Sequence, residues 1–249
     1  MLSVSVDSRG VMANMWRVEL DGGAHVTAMH YPAAGTPVAT CVLGHGAGAG
    51  RTSDFMTAFG VGLALRGIEM VTFNFPFTER GRKLPDPQPV LEHCFRAVLS
   101  HVSADPTLGG LPLVIGGKSL GGRTASHLAA SRDADEGGSE AWWNHLHGLV
   151  FLGYPLHPPG KPQQVRVSHL PRITHPMLFV QGSKDAFGTP PELRAFTNVL
   201  PARCEIHVVE NGGHSLEVPK RCGVAQADVF AAAQDRIVSW IRSLVDVLP

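Results

Sequence analysis

The 249-residue chain carries 21 Lys+Arg against 21 Asp+Glu, a mean hydropathy of +0.05 and a sequence pI near 7.2. That balance gives no electrostatic ground for binding nucleic acid or an anionic membrane, which reward clustered cations, and no apolar run approaches the ~18–20 residues that cross a bilayer. With 44% hydrophobic and 17% charged residues the chain is richer in core-formers than a disordered one, and residues 1–249 read as a single domain.

The N-terminal stretch lacks a basic region followed by an apolar one, so it reads without a secretion signal. Cys41, Cys94, Cys204 and Cys222 show no C-x-x-C pairing, and the first two lie in apolar patterns. Reduced thiols and a cytoplasmic protein are expected.

In chain order, Met15–Leu20 and His25–Tyr31 alternate with period 2 about Asp21-Gly22-Gly23, which predicts an antiparallel hairpin. Short apolar runs then alternate with amphipathic stretches, the pattern of βα units on a mostly parallel sheet with helices on both faces. The expected strands are Val38–Leu43, Ile68–Phe73, Leu111–Ile115, Gly148–Leu152, Met177–Gln181 and Glu205–Val209. The expected helices are Ser53–Arg66, Pro89–Val102, Ser119–Ser131, Pro190–Leu200 and Ala225–Val247. Two Gly/Pro-rich stretches, Thr78–Pro89 and Tyr154–Pro171, fall where such folds place functional loops.

Gly117-Lys118-Ser119-Leu120-Gly121 is the only G-x-S-x-G in the chain and falls between a predicted strand and a helix start. A strained strand-to-helix turn needs glycines on both sides, because side chains there would clash with the elements that pinch it. Ser119 is therefore a candidate nucleophile, which needs a histidine base and a carboxylate to orient that base. Asp185, after the strand Met177–Gln181, and His214, after the strand Glu205–Val209, follow in the required order of serine, acid, histidine. Upstream, Gly44-His45-Gly46-Ala47-Gly48-Ala49-Gly50 lets backbone N–H groups approach a ligand. The Ala47 and Leu120 amides are the expected oxyanion donors, with His45 shaping the loop by hydrogen bonding.

On these residues the chain resembles an α/β-hydrolase over nearly its whole length. The stretches LGHGAGAG, NFPFTERGRK, GGKSLGGR, LGYPLHPPGK and FVQGSKDAFG resemble a small lidless group described as dienelactone-hydrolase-like. Members proper of that activity carry cysteine at the elbow, where this chain has Ser119, so the resemblance implies a serine hydrolase rather than a dienelactone hydrolase. Some relatives of the group are thought to be scaffolds.

The expected chemistry is cleavage of a small acyl ester without metal or organic cofactor; thioesterase, lactonase, amidase and peptidase activity differ from it in loops rather than in triads. The Pro-rich segment before Met177 is too short for a helical cap. Phe75, Phe77, Tyr154 and His157, together with His45, are expected around an open cleft, with Arg80 and Arg82 at its mouth favouring a carboxylate. The partner is then a small molecule, and the protein a monomer or small homo-oligomer.

Two other readings stand beside this one. A non-catalytic interaction module has no physical need for Ser119, Asp185 and His214 together, and reactivity of Ser119 separates the two. A nucleotide-binding protein would use Gly44-x-Gly46-x-x-Ala49, but the next strand ends at Phe73-Asn74 rather than at an acid for a ribose. A phosphate-binding loop ending at Gly117-Lys118-Ser119 fails because Pro112 stands where its first glycine is needed. His145 and His147 could share a metal, yet the further ligands are missing from the pattern.

Overall fold

The computed structural model describes residues 3–6, 12–131 and 141–246. β1 (Ser3–Val6), β2 (Met12–Glu19) and β3 (His25–Tyr31) form an antiparallel ribbon. β4 (Ala39–Gly44), α1 (Asp54–Ala64), β5 (Ile68–Phe73), α2 (Pro76–Glu79) and α3 (Gln88–Ala104) come next. β6 (Leu113–Lys118), α4 (Leu120–Ala130), β7 (Leu146–Leu152), β8 (Met177–Gly182), α5 (Pro190–Thr197), β9 (Cys204–Val209) and α6 (Gln226–Val245) complete the order.

The strands lie as β1-β2-β3-β5-β4-β6-β7-β8-β9, with β3 antiparallel to β5 and β4 through β9 mutually parallel. β4, β6 and β8 are buried along their whole length, because helices cover both sheet faces. Alternation along the strands divides the core. Val42, Leu149, Phe151 and Phe179 face α3, α4 and α5, while Leu43, Val150, Leu152 and Val180 face α1 and α6.

The helix starts follow from local chemistry. Ser53 accepts the Met56 N–H at the start of α1, and Thr189 with Glu192 forms a reciprocal cap on α5. The hairpin strand begins at Met12 rather than Met15, and two elements were unexpected: edge strand β1, and the single turn α2, which runs into the start of the Thr78–Pro89 stretch. Between β7 and β8 there is only a 3-10 turn at Leu170–Arg172, so no cap covers the sheet edge.

The chain leaves β4 for β5 on one side and comes back to β6 on the other. The carboxyl ends of β4 and β6 are thus adjacent at a topological switch point, where open α/β sheets bind ligands. Among the described residues no helix is long and apolar enough to cross a membrane.

Candidate active site

Ser119 occupies the junction of β6 and α4 with φ 49° and ψ −108°, a strained conformation for any residue bearing a Cβ. It is held by its N–H donating to the Leu152 carbonyl at 3.1 Å and its carbonyl accepting from the Arg123 N–H at 2.9 Å. The flanking glycines are required by space as well as by dihedrals. A Cβ on Gly117, whose φ is +150°, would stand 2.2 Å from the Gly44 carbonyl oxygen, and one on Gly121 would stand 2.1 Å from the same atom. The elbow and the end of β4 therefore touch backbone to backbone.

His214 Nε2 lies 2.8 Å from Ser119 Oγ, and His214 Nδ1 lies 2.8 Å and 3.0 Å from the two Asp185 oxygens. With Nδ1–H donated to the carboxylate, Nε2 is the acceptor for the serine hydroxyl, an assignment made from this network. Asp185 is 2% exposed, and its charge is satisfied by two donors besides the His214 imidazole: the Phe187 N–H at 2.8 Å and the Gln181 amide at 2.8 Å. Gln181 also donates to the Gly188 carbonyl at 2.7 Å and accepts the Tyr154 N–H at 2.8 Å, tying the acid loop to the end of β7. The Phe187 ring stacks on the imidazole with centroids 4.1 Å apart and planes 27° apart. A Cβ on Gly153, φ +65°, would meet the His214 carbonyl at 2.4 Å, so the β7 end backs directly onto the histidine loop.

On the other side of Ser119, His45 pins the Gly-rich loop. Its Nδ1–H donates to the Gly46 carbonyl at 2.8 Å, and its Nε2 accepts the Phe75 N–H at 3.1 Å, with the Thr78 hydroxyl at 3.2 Å. Burial lowers its pKa to about 4, so this imidazole is neutral near pH 7 and suited to a structural role. A Cβ on Gly46 would lie 3.8 Å from Ser119 Cβ, which places this backbone against the elbow; Ala47, the next residue, is exposed, and Leu120 is the first residue of α4. Lys118 is 9% exposed, with its ammonium 5.6 Å from the Phe55 ring centroid. Burial lowers its pKa to about 8, opposed by the charges of Asp185 and Glu217.

Four of the expected cleft walls are core residues instead. Phe75 and Phe77 are 0% and 1% exposed and pack with Phe73 and His45, because α2 turns both rings inward. Tyr154 is fully buried against Phe151 and Phe179, and His157 is 5% exposed, with Nδ1 bonded to the Pro158 carbonyl and Nε2 3.4 Å from Glu192. Arg80 and Arg82 both bind Asp86, so their charge is largely answered within the loop rather than offered at a cleft mouth. The carboxylate that meets His214 is Asp185; Asp86 is taken up by the two arginines and Glu210 is exposed.

A second serine and histidine meet at Ser126 and His169, 2.7 Å apart. Both are buried, Ser126 Oγ is also bonded to the Arg123 carbonyl, and His169 stacks on His127 rather than on a carboxylate. That pair lacks both access and an orienting acid. Gln181 and Phe187 are the supporting residues that motif spacing misses. The signal for Gln181 is a lone polar residue in the apolar strand MLFVQG; Phe187 has none.

Residues 37–242 match the family described as alpha/beta hydrolase domain, and the chain belongs to that family. Its fold is similar to that of a dienelactone hydrolase from Anabaena variabilis, with a TM-score of 0.70 and 16% identity over 98% of this chain and 99% of that one. It is also similar to Est1E from Butyrivibrio proteoclasticus, solved with ferulic acid bound, with a TM-score of 0.72 and 13% identity over 92% of this chain and 99% of the other. A third similar structure is a putative dienelactone hydrolase from Klebsiella pneumoniae, with a TM-score of 0.69 and 17% identity over 93% and 98% of the two chains.

Proposed function

We propose that the protein is a serine hydrolase that cleaves small acyl esters through an acyl-enzyme. The observation that carries this reading is the continuous relay from Ser119 Oγ through His214 to Asp185, each step 2.8 Å at its shortest. His214 takes the Ser119 proton as the oxygen attacks the carbonyl carbon, and the imidazolium is held by Asp185. The Ala47 and Leu120 amides are the donors for the oxyanion, each donor of this kind contributing on the order of 10²–10³ in kcat. The imidazolium then protonates the leaving alcohol. Water, deprotonated by His214, attacks the acyl-enzyme and releases the acid, regenerating the Ser119 hydroxyl.

The esterase named among the similar structures and the dienelactone hydrolases support ester chemistry over amide chemistry, and Ser119 in place of cysteine favours a simple carboxylesterase. The substrate in this reading is a soluble small molecule, reached without a cap, in a reducing cytoplasmic setting compatible with the four free thiols.

The test is intact-mass spectrometry after treatment with a fluorophosphonate, comparing the natural protein with Ser119→Ala and His214→Ala. Stoichiometric labelling that is lost in the first variant and strongly slowed in the second supports the mechanism. Folded natural protein that takes up no label refutes it and leaves the interaction-module reading.

A further inference from the structure

His214 carries an aromatic cover that its hydrogen bonds do not require. The Phe187 ring lies over the imidazole face with centroids 4.1 Å apart and planes 27° apart, and both residues are half-buried. Its aim is fixed at the backbone. Residues 185–188 close a turn in which the Gly188 N–H donates to the Asp185 carbonyl at 3.2 Å and the Phe187 N–H donates to Asp185 Oδ1 at 2.8 Å. The Phe187 carbonyl in turn accepts the His157 N–H at 3.0 Å. The carboxylate that receives His214 Nδ1 thus also holds the residue that stacks on the imidazole.

Charge changes what this stack is worth. A neutral imidazole meets the Phe187 face chiefly through dispersion and apolar burial, whereas an imidazolium also meets the negative face of the ring quadrupole, well within the ~6 Å over which that attraction counts. The opposing effect is lost hydration. An imidazolium is hydrated chiefly through its two in-plane N–H groups, and both nitrogens already have partners here, Asp185 and Ser119 Oγ, each 2.8 Å away. A ring laid over the face therefore takes little water from the cation.

We propose that Phe187 is a positioning residue that acts through His214: it holds the imidazole plane between Ser119 and Asp185 and stabilises the imidazolium that forms as the Ser119 proton crosses to Nε2. Such a contact is stronger in the transition state than in the free enzyme, so it raises the rate of the chemical step and leaves binding unchanged. The role rests on the serine-hydrolase reading, since without proton transfer from Ser119 no imidazolium forms for the ring to meet.

The experiment replaces Phe187 in the full chain by mono-, tri- and pentafluorinated phenylalanine and, separately, by leucine, and follows the saturation kinetics of fluorophosphonate labelling. In that reaction the Oγ–P bond forms, the P–F bond breaks, the Ser119 proton passes to His214 and fluoride departs. Fluorine withdraws charge from the ring face while nearly preserving the ring's shape, so packing is held constant as the quadrupole is removed. The expected result is a limiting labelling rate that falls stepwise with fluorination, by about two- to thirtyfold in all, at a constant half-saturating concentration. The pentafluorinated ring should do no better than leucine, although it fills the site better. A limiting rate unchanged across the fluorinated series, or a change confined to the half-saturating concentration, overturns the role of Phe187 and leaves the serine hydrolase standing. Natural protein that takes up no label overturns both.

Discussion

Replacing His45 by alanine should uncouple the Gly-rich loop from α2 and do so in a way that depends on pH. At neutral pH the variant loses the donor to the Gly46 carbonyl and the acceptor for the buried Phe75 N–H, along with the ring packed edge-on to Phe75 and Phe77. The Gly46 carbonyl keeps the Ala49 N–H at 3.2 Å, so one buried donor, the Phe75 N–H, is left unpaired at about 1–3 kcal/mol, and with the cavity this predicts a loss of about 3 kcal/mol. The folded-state pKa of about 4 lies below the usual 6.5. The unfolded chain therefore takes up this proton first, and the natural protein loses stability as the pH falls through that window. A shift of this size is worth at most about 3 kcal/mol, of which about 2 is reached by pH 4.5. Urea denaturation at pH 7 and pH 4.5 should show the gap between natural protein and variant narrowing by about 2 kcal/mol on acidification. A gap that stays constant between the two pH values would show that the His45 imidazole is not held neutral by this network.

Other substitutions separate strain, space and charge at the same centre. Ser119→Gly removes about 1–3 kcal/mol of backbone strain against about 0.4–1 kcal/mol of added chain entropy, so its melting temperature should rise by a few degrees while fluorophosphonate labelling disappears. Gly121→Ala drives a methyl into the Gly44 carbonyl, and calorimetry should show destabilisation of about 2 kcal/mol or more despite alanine's better helix propensity. Lys118→Met removes a desolvated ammonium whose pKa of about 8 lies below the usual 10.5, so it should stabilise the protein by up to about 3 kcal/mol below pH 8. That advantage should shrink as the pH rises from 8 toward 10.5 and the natural lysine loses its proton in the folded state; a denaturation series across that range would expose a constant difference.

The parallel half of the fold was legible because its strands are continuous apolar runs bounded by glycine: Ile68–Phe73 is predicted and found with the same ends, and the others shift by one to three residues. Ser3–Val6 escaped because an edge strand paired on one side needs no apolar run, and Pro76–Glu79 because four residues carry no period. Ser119, Asp185 and His214 were legible from position alone, as polar loop residues at the carboxyl ends of three parallel strands. The direction of Phe75, Phe77 and Tyr154 was not, since each stands just beyond a strand, where the alternation that fixes inside and outside has ended. Arg80 and Arg82 read as free cations because their partner, Asp86, becomes a partner only when the loop folds back on itself.

The hydrogen bond between Ser119 and His214 joins residues 95 positions apart, through strands β7, β8 and β9 laid down in turn. No local segment can rehearse that geometry. The elbow and the Gly-rich loop are built from the first half of the chain, but His214 arrives after β9, so in the proposed mechanism reactivity at Ser119 would be a clock for a late stage of assembly. In refolding, helical signal should return before the serine can be labelled, the delay being the time the chain takes to bring β9 and its loop onto the sheet. During synthesis, a nascent chain released before residue 214 would hold Ser119 without the imidazole that the proposed mechanism requires, and no labelling of it is expected.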